Sequence, residues 1–180
     1  MTLTAIEYQG PAAVRFPRGS GEGVEMDDEI KPLSIGEAEL LREGDDVAII
    51  ALGPMVGLSM ESAAQLEELK IQAAVLNLRF VKPLDEEKIL ALAKGCKHIV
   101  TIEEGTRVGG MGSAVVELLA EKGVRDVAVT RLGLPDRFIE HGSPQIQRED
   151  CGLTPGDITQ AARDLIEGRA REASSLTGHA

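Results

Sequence analysis

Aromatic side chains are almost missing from these 180 residues, which contain no tryptophan, one tyrosine and three phenylalanines. A core must therefore come from aliphatic packing, and an apolar content of 43% suffices for one ordinary domain plus extra segments. Cysteine is scarce as well. Cys96 and Cys151 stand far apart with no Cys-x-x-Cys spacing, so neither a disulfide framework nor a zinc site is indicated, and a reducing, cytoplasmic setting is expected. Positive charge is in deficit, with 19 Lys and Arg against 30 Asp and Glu. The net charge of -11 argues against a sequence-independent grip on nucleic acid or anionic membrane, although a local basic cluster can still hold one phosphate. No apolar run approaches the roughly 18 residues of a membrane span, and the opening residues lack the apolar core of a signal peptide.

What is present is organised around a strand, helix, strand unit between Asp46 and Asp85. Val47-Ala48-Ile49-Ile50-Ala51-Leu52-Gly53 is a short, nearly unbroken apolar run ending in Gly-Pro, the pattern of a parallel strand covered on both faces. From Gly57 to Lys70, Leu58, Ala63, Leu66 and Leu69 recur at helical spacing, with Glu61, Gln65, Glu67 and Glu68 left for solvent. A second apolar run, Ile71 to Phe80, follows at once, so the pair reads as a right-handed parallel crossover. Beyond it, Asp85 is placed to cap a helix that Gly95 closes, and His98 to Ile102 is the third strand. Gly112 to Lys122 is the next helix, closed by Gly123, and Val124 to Leu132 is the last strand. Thr154-Pro155-Gly156-Asp157 is a strong helix start, and Ile158, Ala161, Ala162, Leu165 and Ile166 mark one buried stripe. Leu33 to Arg42 reads as a short edge strand, with Gly44-Asp45 as the turn into the central one. The expected fold is a three-layer α/β domain over residues 33–168: an open, mostly parallel sheet with helices on both faces and one antiparallel edge strand.

The opening of the chain fits that domain poorly. Met1 to Tyr8 reads as the last turns of a helix, and Ala12-Ala13-Val14-Arg15-Phe16 as a strand closed by Pro17. A glycine-rich, acidic stretch follows, so residues 20–32 are read as a linker. A lone strand before a linker would expose backbone groups on both edges, which native domains avoid. Residues 1–19 are therefore expected to be the end of another domain, and 169–180, small and polar, a frayed tail.

Four constellations bear on chemistry. Gly109-Gly110-Met111-Gly112-Ser113 lies between a strand and a helix, but Val115 stands where a dinucleotide fingerprint needs its third glycine; glycines that let helix and sheet approach closely are the better reading. Glu103-Glu104 follows the third strand, where open α/β sheets place ligand groups. Adjacent acids point to opposite sides of an extended chain, and no basic partner is near in sequence, so they read as helix-end or interface partners. His141 lies in no nucleophile elbow with Ser143 and reads as a structural or subunit-contact histidine. The sharpest signal is Val14-Arg15-Phe16-Pro17-Arg18-Gly19, where Arg15 and Arg18 flank a strand end beside glycine. Arginine there can fork onto a phosphate with charge-assisted bonds; salt bridges to the acidic linker remain the alternative.

The order of VRFPRG, DVAIIALG, NLRFVKPLD, VTIEEG, VGGMGSA and LGLPDRFIEHG resembles the C-terminal part of the 1-deoxy-D-xylulose-5-phosphate synthase family, over about residues 10 to 152. The middle blocks are shared with transketolases and with β subunits of 2-oxo acid dehydrogenases; VRFPRG and LGLPDRFIEHG favour the synthase. The resemblance implies a transketolase-type transferase of isoprenoid and thiamine biosynthesis that condenses pyruvate with glyceraldehyde 3-phosphate on thiamine diphosphate and Mg2+. It implies a homodimer whose N-terminal and middle domains are the partners of this segment, and an isolated segment that is inactive. The family's Gly-Asp-Gly motif is not in this sequence, which offers only Gly44-Asp45-Asp46 and Gly156-Asp157-Ile158. No catalytic, cofactor or metal ligand is therefore assigned here. By the family pattern Arg18 matches an arginine that holds the acceptor's phosphate, with Arg15 as its weaker neighbour. A non-catalytic docking or dimerisation module, and a dehydrogenase β subunit, are the alternatives.

Overall fold

The computed structural model describes residues 1–14 and 29–168. Arg15 and Arg18, the linker up to residue 28 and the 169–180 tail lie outside the described residues.

One five-stranded sheet carries the fold. Its strands are β1 (Glu39–Arg42), β2 (Val47–Ala51), β3 (Ala73–Asn77), β4 (His98–Thr106) and β5 (Ala128–Leu134), in the spatial order β1-β3-β2-β4-β5. β2 is the middle strand and every one of its residues is buried, as its unbroken apolar run predicts. It pairs in parallel with β3 (Ile49 beside Val75) and with β4 (Ile49 beside Val100), and β4 pairs in parallel with β5. β1 is the antiparallel edge, with Glu39 beside Asn77.

The helices are α1 (Thr2–Glu7), α2 (Met55–Glu68), α3 (Glu86–Gly95), α4 (Met111–Glu121), α5 (Pro144–Cys151) and α6 (Pro155–Ile166). Alternation along the strands divides the core in two. Val47, Ile49, Val75, Val100 and Ile102 pack with α2 and α6 through Met55, Ala63, Leu66, Ile158, Ala161 and Ala162. Ala48, Ile50, Leu76 and Ile99 pack on the other face with α3 and α4 through Ile89, Ala93, Val115 and Leu118. The three-layer α/β expectation is met. A polar seam joins α2 to α6, where the Ser62 and Thr159 hydroxyls lie 2.9 Å apart and Thr159 also donates to Gln65 at 2.8 Å.

Several expected boundaries move, each for a visible reason. Residues 12–14 are not in a strand. The edge strand begins at Glu39 instead of Leu33, because Ser34 accepts from the Glu37 N–H in a turn with Gly36 at φ +80°. β4 runs on to Thr106 beyond Ile102, and the Arg107 N–H reaches Leu134 at 2.9 Å. β5 starts only at Ala128, because Val124 donates back to Leu119 and closes α4. Leu69, expected on the buried stripe of α2, is exposed just past its last turn, and Leu165 and Ile166 are half-buried. α5 has no counterpart in the sequence reading, although Ser143-Pro144 supplies a cap and a first-turn proline.

Candidate functional site

Strand order places the topological switch between β2 and β4. The crossover through α2 leads from β2 to β3 on one side, and the next, through α3, returns across β2 to β4 on the other. Ligands of open α/β sheets sit outside the carboxyl ends of the strands at such a point. Here that place is built from the last turn of β4, the glycine loop and the amino end of α4.

Glu103 and Glu104 lie inside β4, so the pleat sends them to opposite faces. Glu103 points toward α4, is 5% exposed, and its two carboxylate oxygens accept from the Met111 and Gly112 N–H groups, each at 2.9 Å. It thus satisfies two otherwise free donors of the first turn and sets a negative charge at the positive end of the helix dipole. The glycines explain how it fits. A Cβ on Gly110 would stand 2.5 Å from Glu103 Oε1, and one on Gly112 would collide with the Thr101 hydroxyl. Thr101 Oγ1, beneath that turn, is the one buried side-chain polar atom without a partner among the described residues. The reading of these glycines as a means of close helix-to-sheet approach holds, and so does that of Glu103 as a helix-end partner.

Glu104, on the opposite face, accepts from Arg148 Nε at 2.7 Å, and this half-buried ion pair ties α5 to the sheet. The glycine loop is tied down separately. Arg131 on β5 donates to Ser113 Oγ at 2.7 Å and to the Arg107 carbonyl at 3.1 Å, while the Gly109 N–H donates to Ser113 Oγ at 3.0 Å. Arg131 and Arg148 gave no sequence signal, because each meets its partner only through the fold, whereas Ser113 stands in the glycine stretch already singled out. His141 is exposed on the connection before α5. Among the described residues the hydrogen-bond partners of Glu103 are the Met111 and Gly112 N–H groups, not His141.

At the other rim of this end, Asp85 caps α3 by accepting from the Lys88 N–H at 3.0 Å, and it also accepts from the Ala38 N–H at 2.8 Å. Burial pushes its carboxyl up, but those two N–H groups and the Lys88 ammonium outweigh it and hold the group below the usual aspartate value. Of the two free thiols, Cys96 is buried and donates to the Gly44 carbonyl at 3.3 Å. Burial first, then Asp45 and Asp46, pushes its pKa up, which leaves it a poor nucleophile.

The described residues do not fit a thiamine diphosphate. The helix terminus that would receive a diphosphate is filled by the carboxylate of Glu103, which would repel it. No group of three His, Cys, Asp or Glu side chains among the described residues is arranged to hold a metal ion. No helix among them is long and apolar enough to cross a membrane.

Residues 36–158 match the family model described as "Transketolase, C-terminal domain". Over 174 residues the chain is 50% identical to the 1-deoxy-D-xylulose-5-phosphate synthase of Heliobacterium modesticaldum, and over 171 residues 48% identical to that of Desulforudis audaxviator. These alignments cover 97% and 95% of this chain but 27% of each relative, so the chain spans about a quarter of their length. Among solved structures it is similar to a split gene transketolase described as an inactive beta4 tetramer, with a TM-score of 0.72, 34% identity, and coverage of 78% of this chain and 45% of that one. A Pichia stipitis transketolase mutant, at 21% identity and a TM-score of 0.55, covers 78% of this chain and 21% of its own and shares the fold.

Proposed function

The chain belongs to the family of transketolase C-terminal domains, and from that premise we propose that it serves as the C-terminal part of a thiamine-diphosphate-dependent 1-deoxy-D-xylulose-5-phosphate synthase. The observation that carries the reading is 50% identity across 97% of the chain to a protein of that name. In this reading the enzyme is a transferase that joins a two-carbon unit from pyruvate to glyceraldehyde 3-phosphate, in the cytoplasm, for isoprenoid and thiamine biosynthesis. It works as a homodimer with Mg2+ and thiamine diphosphate held by the N-terminal and middle portions. Residues 1–19 would be the end of the middle domain, 20–32 the linker and 33–168 the C-terminal domain proper.

The domain's own contribution is packing and acceptor binding. Its sheet-end anion position is closed by its own Glu103, which favours a structural part over a cofactor-binding one. Arg18, with Arg15 beside it, supplies guanidinium donors for the acceptor's phosphate. A second reading, a separately assembling module, draws support from the similar split gene transketolase, whose description is that of a tetramer.

The test is a hybrid enzyme in which this chain replaces the matching C-terminal segment of the Heliobacterium synthase. Formation of 1-deoxy-D-xylulose 5-phosphate from pyruvate and glyceraldehyde 3-phosphate is expected. A hybrid that folds and binds thiamine diphosphate yet makes no product would overturn the reading.

A further inference from the structure

We infer that residues 135–152 form a hinged strap, latched by the Arg148–Glu104 ion pair over the carboxyl end of β4, which swings open as a unit while the sheet stays folded. The inference concerns this chain by itself and does not depend on the synthase reading.

The segment leaves the core at β5 and rejoins it just before α6. Leu132 and Leu153 are buried on either side, yet no residue from 134 to 152 is. Helices α2, α3, α4 and α6 each bury two or more side chains, whereas α5 buries none. Of the described residues 135–151, only Cys151 packs against either half of the core, and Phe138 stands wholly in water. A helix of 8 residues is too short to hold itself in water, so α5 persists only through what ties it down.

One polar tether does so. Outside the turns at its two ends, the bond from Arg148 Nε to Glu104 Oε1 at 2.7 Å is the only hydrogen bond or ion pair joining 136–151 to the rest of the described residues. The other bonds are internal and travel with the strap: Ser143 Oγ accepts from the Ile146 N–H, Gln147 donates to the Glu140 carbonyl, and Gln145 to Glu149. Gly152, at φ +67°, supplies one hinge without a Cβ to strain, and Pro135, past the bond from the Arg107 N–H to Leu134, supplies the other. Glu104 stands two residues beyond Ile102, which pairs with β2, so opening uncovers the α2 side of the topological switch while Glu103 keeps the α4 side closed. A segment with few buried contacts and one half-buried ion pair opens at a fraction of the free energy of global unfolding.

Alkylation of the two thiols by iodoacetamide tests the proposal. Cys151 ends α5, half-buried against the core, and burial pushes its pKa up against the opposing pull of Arg137, so it reacts chiefly when the strap is open. Cys96, buried on the other face of the sheet, reacts only on global unfolding and serves as the reference. In the parent chain Cys151 should react about tenfold or more faster than Cys96, with a rate nearly flat in dilute urea where that of Cys96 climbs steeply. Glu104→Gln and Arg148→Met should each speed Cys151 roughly five- to tenfold, the double variant no more than either single one, and added sodium chloride should speed the parent but not the double variant. Val75→Ala, in the core on β3, weakens open and closed forms alike, so it should speed Cys96 and leave Cys151 unchanged. The proposal is overturned if Cys151 follows Cys96 in rate and urea slope, which would mean no separate opening. It is overturned equally if neither salt nor the two variants move the Cys151 rate, which would mean that the ion pair is no latch.

Discussion

Glu103 grips the first turn of α4 through the Met111 N–H at 2.9 Å, placing a carboxylate of the protein itself where an open α/β sheet receives an anionic ligand. The strand that delivers it, the glycines that admit it and the helix it caps come from one continuous stretch, Ile102 to Ser113. Local sequence thus determines what the site can hold.

Removal of that carboxylate should loosen α4. Glu103→Ala leaves the Met111 and Gly112 N–H groups buried without partners, and a loss of roughly 2 to 4 kcal/mol in unfolding free energy is expected. Glu103→Gln keeps one acceptor and loses the charge, so a smaller loss should follow. Urea titrations of both variants would check the order, and equal stability of Glu103→Ala and the parent would refute the capping role.

Asp85 gives a pH signature. Its folded pKa lies below the ordinary 3.8, so its contribution is present above that value and fades as pH falls through the lowered folded value. Asp85→Ala removes the α3 cap and the tie to Ala38, at a cost of about 1 to 3 kcal/mol near neutrality. The difference in melting temperature between parent and variant should be full at pH 6 and shrink toward pH 3. A difference that grows on acidification would reverse the sign argued here.

Much of the architecture was legible because it rests on local signals. The run Val47 to Leu52 announced a strand buried on both faces, Asp85 and Thr154 announced helix starts, and both capping arrangements are formed as expected. The acid pair at Glu103 and Glu104 was legible as to facing, since alternation alone separates them, and Glu103 as to its helix-end role. Arg148 and Arg131 were not, because they lie 44 and 18 positions from their partners and meet them only once the sheet has formed. The strand ends moved for a similar reason: β4 runs past its apolar run because the ladder to β5 continues, and β5 starts late because the closure of α4 takes up Val124.

The arginine pair lies outside the described residues and is tested by kinetics. Loss of a charged hydrogen bond costs about 1.5 to 3 kcal/mol, so Arg18→Ala in the hybrid enzyme should lower kcat/KM for glyceraldehyde 3-phosphate by roughly ten- to a hundredfold. Pyruvate binding should hardly change, and an unphosphorylated aldehyde acceptor should react almost equally with both enzymes. Slowing of both acceptors by one factor would assign Arg18 to the fold, through salt bridges to the acidic linker.

In the function proposed above, this domain completes a thiamine-diphosphate enzyme while holding none of the cofactor itself, its sheet-end anion position being filled by Glu103. Calorimetric titration of the isolated chain with thiamine diphosphate and Mg2+ is the decisive measurement. No saturable heat of binding is expected; tight, saturable binding by this chain alone would place cofactor ligands in this domain and overturn the reading.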